Sequence, residues 1–160
     1  MGKQPTPKNK GELIMTANTT SIQPLTTSLE RLLIFKEVFN QHIHTCENII
    51  TGNCLARDTL GDLKKYLMRN LMHFNPLVQS LRTVHVPRTY QCELDNIVRA
   101  VNRYRNAIED IVDAIDPESV DQVPFRMGVK QSTALDWMTG AYIDGLRLQA
   151  GQFGYCGMVG

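Results

Sequence analysis

Three side chains of the kind that hold transition metals fall within five residues, at His42, His44 and Cys46. Imidazole and thiolate are the usual ligands of zinc. The spacing works against that chemistry. On a helix, His42 and Cys46 lie four apart and share a face, while His44 turns to the opposite, polar side with Glu37 and Glu47. Two ligands remain where structural zinc takes four, and neither His73 nor His85 stands at a spacing that completes the set. The Glu-x-x-His pairs of di-iron bundles do not occur in the sequence. A buried histidine beside a buried thiol is the plainer account, so no metal and no other cofactor is expected.

Cys92 sits differently. It falls in the first turn of a predicted helix, off the apolar stripe and near Arg88. A helix N-terminus and a cation both stabilise thiolate. A cysteine hydrolase also needs an oriented base, and His85 is the one nearby candidate. An ordinary surface thiol is expected. Carboxylates gather at Glu109, Asp110, Asp113 and Asp116, with Glu118 and Asp121 following. They lie on the polar side of the same helix, at its C-terminal end, where the macrodipole disfavours negative charge. That placement points to a basic partner or a nearby basic segment, and not to acid–base catalysis.

Positive charge gathers on two helices. Lys64, Lys65 and Arg69 form one patch with Arg57 nearby, and Arg99 and Arg103 form an outward pair on another helix. Together they are candidates for following a nucleic-acid phosphate backbone. Met68 and Met72 lie among the first group, away from its leucine stripe. Methionines on a polar face suit adaptable apolar contact with another molecule. Phe153 and Tyr155 stand between glycines in the last residues and are the other candidate contacts. Phosphate-cradling glycine loops, dinucleotide fingerprints and nucleophile elbows do not occur.

The elements that would carry these groups are helical. Residues 1–26, rich in Lys, Asn, Thr, Gln and Pro, read as a flexible leader. Thr27 with Glu30 has the capping-box pattern and opens a helix whose stripe is Leu32, Phe35, Phe39, His42, Ile43, Cys46, Ile49 and Ile50. Thr51-Gly52-Asn53 stops it. A second helix, capped by Asp58, buries Leu60, Leu63, Leu67, Leu71 and Phe74. Asn75-Pro76 ends that run and opens a short third helix, and Val84 to Pro87 is extended.

The fourth helix carries the clearest pattern. Tyr90, Leu94, Ile97, Val101, Tyr104, Ile108, Ile111 and Ile115 alternate at steps of four and three, with Val98 and Val112 widening the stripe. That width predicts packing inside a bundle and not a bare coiled-coil seam. Residues 117–130 read as a linker with two prolines and a glycine. Ser132 or Thr133 then caps a last helix with Ala134, Met138, Ala141, Tyr142, Gly145 and Leu148 on its packing face. Small residues there let another helix approach closely.

The fold expected is therefore all-α: a helical bundle of four longer helices plus one short helix over 27–150. A flexible N-terminal leader and a Gly-rich C-terminal tail over 151–160 flank it. The formal net charge is only +1, so no whole-molecule field draws the chain to nucleic acid or to a membrane. Four cysteines without a secretory signal, and no long apolar run, point to a reduced, cytoplasmic setting with no membrane contact. The function expected is a non-enzymatic interaction or assembly module, an adaptor or structural subunit, that docks a protein partner or its own copies as an oligomer. The alternative is a nucleic-acid backbone-binding subunit or regulator using Lys64, Lys65, Arg69, Arg99 and Arg103. An enzyme ranks third.

Overall fold

The computed structural model describes residue 2, the backbone of residues 10–53 and 59–155, and the side chains of residues 23–53 and 59–148. It is an all-α bundle. Four long helices follow one another: α1 (Lys10–Ile50), α2 (Leu60–Thr83), α3 (Gln91–Asp113) and α4 (Gln122–Tyr155). The described residues contain no strand, and a single 3₁₀ turn over Arg88–Tyr90 precedes α3. Each helix packs antiparallel on its chain neighbour, and α1 meets α4 to close the ring. No helix among the described residues is long and apolar enough to cross a membrane.

The stripe expected on α3 is the core. Leu94, Ile97, Val101, Tyr104, Ile108 and Ile111 are buried, joined by Tyr90 before the helix and Ile115 after it. At the centre the rings of Phe35 and Phe39 from α1, Phe74 from α2 and Tyr104 from α3 meet, with centroids 5.4–6.3 Å apart in mostly tilted or edge-on contacts. Such geometry is what ring quadrupoles favour. The stop at the end of α1 is also as expected. Gly52 takes φ +72°, its N–H donates to the Ile49 oxygen, and the Asn53 N–H donates to the Asn48 oxygen. This is the Schellman arrangement that glycine permits.

Several boundaries fall elsewhere than the sequence suggested. The backbone is helical from Lys10, so Thr27 is no cap. Its hydroxyl donates to the Gln23 oxygen one turn back, and Leu25 is already in the core. The cap of α2 is Thr59. Its hydroxyl accepts from the Asp62 N–H, and its own N–H donates to the Asp62 carboxylate, closing a capping box. The Thr59 hydroxyl also donates to the Asp62 carboxylate at 2.9 Å, and this bond, with that from the Thr59 N–H, holds the Asp62 carboxyl below its ordinary range.

The short third helix does not exist as a separate element. α2 runs unbroken through Pro76 to Thr83. Proline lacks the N–H that would bond the carbonyl four residues back. Here that carbonyl belongs to Met72, and both residues lie on the exposed side, where water can take the bond.

The linker expected over 117–130 shrinks to a tight turn. The Asp116 N–H donates to the Ser119 oxygen and the Asp121 N–H to the Ala114 oxygen, each at 2.8 Å, around an Ile115–Val120 bridge. α4 then starts at Gln122 with Pro124 in its first turn, where a helix has spare N–H groups anyway. Gly128 is no breaker. A Cβ there would lie 2.6 Å from Ile111 Cγ1 and 3.2 Å from the Ala107 oxygen, so glycine lets α4 press directly on α3.

Candidate interaction surface

α4 turns a different face to the core than its apolar periodicity indicated. The buried positions are Phe125, Gly128, Ser132, Leu135, Thr139, Ile143 and Leu146. Two of these carry hydroxyls, which is why the pattern misled. The Ser132 hydroxyl donates to the Val129 oxygen and the Thr139 hydroxyl to the Leu135 oxygen, so both bury without an unpaired donor. Thr133 also bonds the Val129 oxygen in mid-helix, and neither Ser132 nor Thr133 is a cap.

The face expected to pack is instead largely open. Ala134, Met138, Ala141 and Leu148 are exposed, with only Tyr142 and Gly145 partly covered. Next to them run Val123, Met127 and Trp137. These three and Leu148 are between 59 % and 79 % exposed, Trp137 the most. The outward row 123, 127, 130, 134, 137, 141, 144 and 148 follows helical spacing and is apolar except at Lys130 and Asp144. The strip is about 37 Å long at 1.5 Å per residue.

Along its α3 side the strip borders two shallow clefts. One, of about 280 Å³, is lined by Arg103 and Asn106 from α3 with Ala134 and Met138 from α4. The other, of about 370 Å³, places Asp110, Asp113, Asp116 and Asp121 around Met127 and Pro124. The acidic end of α3 has its basic neighbour within the chain. Lys64 Nζ donates to the Ile115 oxygen at 2.7 Å, putting a cation just beyond the C-terminus of that helix.

The basic candidates consequently do not form one surface. Lys64 is engaged with α3, Lys65 and Arg69 are exposed on α2, and Arg103 lies in the α3–α4 cleft beyond α3. Arg99 donates to Asn96 on its own helix. Met68 and Met72 are 48 % and 73 % exposed on the outer side of α2 beside Lys65 and Arg69. Phe153 and Tyr155 belong to the helical backbone of α4, but their side chains, like Arg57, Asp58, Cys54 and Cys156, lie outside the described residues.

His42 and Cys46 are occupied by packing. The His42 ring nitrogen Nδ1 lies 2.7 Å from the Val38 oxygen, and its ring stands edge-on to Tyr66. Burial, with a smaller contribution from Glu47, pushes the Cys46 thiol up to about 11. His44 points away, 3.9 Å from Glu47. Among the described residues no three His, Cys, Asp or Glu side chains converge on one point. Cys92 is an exposed free thiol.

Sequence reasoning missed two groups. Lys36, only 6 % exposed, forms an ion pair with Asp136 across the α1–α4 seam. Trp137 is the other, the chain's single tryptophan and the most exposed large apolar side chain among the described residues. Its departure from the position of a core tryptophan becomes visible only once the buried face of α4 is known. Comparison with protein-family models, with curated proteins and with solved structures returns no match.

Proposed function

We propose that this chain is a non-enzymatic helical interaction module, docking another polypeptide through the outward face of α4. The observation that carries this reading is the strip from Val123 to Leu148 centred on Trp137. A helix apolar on two faces has the composition of one buried on both, and α1 and α3 cover only one side of α4. Monomeric proteins seldom leave a large, mainly apolar surface open. Tryptophan at the centre of such a surface is the residue type that most often anchors an interface. Met68 and Met72 on α2 supply a second, adaptable contact of the same kind.

The competing reading, nucleic-acid backbone binding, would use Lys65 and Arg69, adjacent exposed cations on α2. A photo-crosslinking residue at Ala134, with a control at exposed Gln41 on α1, tests the proposal in the cells that make the protein. A discrete polypeptide adduct from position 134 alone is expected. Equal capture from both positions, or capture from neither, overturns it. Oligonucleotide binding that weakens steeply with salt would favour the alternative, because phosphate contacts release counterions.

A further inference from the structure

The outward strip of α4 is interrupted by two charges, Lys130 and Asp144, each seven residues from Trp137 and on opposite sides of it. Both are exposed, and neither forms an ion pair with another described residue. Seven residues are about two helical turns, or roughly 10 Å along the axis. Opposite charges at equal distances from a central tryptophan make a surface that complements itself when reversed.

We infer that a second copy of this chain covers the strip, with the two α4 helices packed antiparallel about a two-fold axis beside Trp137. The inference rests on the interaction reading above and names the partner. In that arrangement Lys130 of each copy faces Asp144 of the other, so one symmetric contact satisfies both charges twice. Ala134 and Ala141 flank Trp137 by one turn on either side, giving the second indole small neighbours and the two backbones room to approach. Reversal also brings Met127 of each copy toward Leu148 of the other. A parallel pairing would set Lys130 against Lys130 and Asp144 against Asp144, which like charges disfavour. A net charge of +1 per chain leaves no appreciable repulsion between copies.

Sedimentation velocity on the full chain tests this, with Trp137 fluorescence as a second readout because no other tryptophan contributes. A dimer is expected in the micromolar range, with emission moving to shorter wavelength as concentration rises. Lys130→Asp or Asp144→Lys alone turns both pairs repulsive and should raise the dissociation constant at least about tenfold. Mixing those two variants, or combining both changes in one chain, should restore pairing. Trp137→Ser should dissociate the dimer with helicity unchanged, since the side chain has little to do with the core. A chain that stays monomeric with concentration-independent emission, or a dimer indifferent to charge reversal, overturns the proposal. A monomeric chain whose position 134 still crosslinks to a different protein would defeat self-pairing and leave the interaction reading standing. Loss of both signals would defeat both.

Discussion

Lys36 donates from its ammonium to Asp136 twice, to the carboxylate Oδ1 at 2.5 Å and to the main-chain oxygen at 3.2 Å. Asn40, one turn along α1, adds a bond to the other carboxylate oxygen at 3.3 Å. The lysine side chain is 8 % exposed, whereas that of Asp136 keeps 30 % in solvent. Breaking this pair is therefore asymmetric. Asp136→Ala strands a buried cation and should cost about 3 kcal/mol, the lower end for a broken buried pair, because the main-chain acceptor remains. Lys36→Met leaves a carboxylate that water and Asn40 can serve, and should cost less than about 1.5 kcal/mol. Urea unfolding of the two variants measures the order, and the reverse order would mean the lysine is not the buried partner.

Tyr104 is fully enclosed, and its hydroxyl has no hydrogen-bond partner among the described residues. Burial, with Asp136 adding to it, raises its phenol well above the ordinary range. An unpaired buried hydroxyl is a standing penalty. Tyr104→Phe should thus be neutral or stabilising by up to about 1 kcal/mol, read as a rise in the urea midpoint at unchanged slope. A loss above that size would reveal a partner for the hydroxyl.

Gly128 admits no side chain without displacing Ile111. Gly128→Ala should destabilise by about 1–3 kcal/mol through overpacking, despite alanine's better helix propensity. Ile111→Ala alone should cost about 2–5 kcal/mol by leaving a cavity. The double variant should cost less than the sum, because the new methyl occupies the space the isoleucine leaves. Additivity would show that the two positions do not touch.

Cys46 makes stability fall at alkaline pH. Its thiol is raised from the ordinary value of 9.0 to about 11. Below pH 9 both folded and unfolded chains hold the proton, and the full stability is present. Between pH 9 and 11 the unfolded chain releases it while the folded chain keeps it, so stability declines by up to about 1.4 kcal/mol per pH unit. Unfolding midpoints between pH 8 and 10 should drop more for the parent than for Cys46→Ala. Equal slopes would place the thiol in water.

The bundle was legible where one stripe had one meaning. On α3 the apolar residues fall on a single face, the polar ones opposite, and both helix identity and burial follow. α4 defeated the same reasoning because it carries two apolar faces. The richer one, with Met138, Ala141 and Leu148, faces out, while the buried one hides hydroxyls satisfied by their own backbone. Pro76, Pro124 and Gly128 read as breaks because their cost depends on where they fall. An exposed outer face, a first turn and a tight helix contact each remove that cost. The methionines of α2 were placed on the exposed side from spacing alone. Lys36 and Asp136 are a hundred residues apart, and no local pattern connects them.

The order in which the helices are stacked has a kinetic consequence. Every helix rests on its neighbour in the chain, and α3 and α4 share the most extensive contact across the tight turn between Ala114 and Asp121. Closing that short loop costs little chain entropy, so the α3–α4 hairpin is expected to assemble first and fast. The closing seam between α1 and α4 joins distant parts of the chain, and among the described residues its contact is smaller than that between any two helices adjacent in the chain. α1 also rests more extensively on α2 than α2 does on α3, so the α1–α2 pair should dock last and come away first, its amides exchanging with solvent through partial openings that leave those of α3 protected.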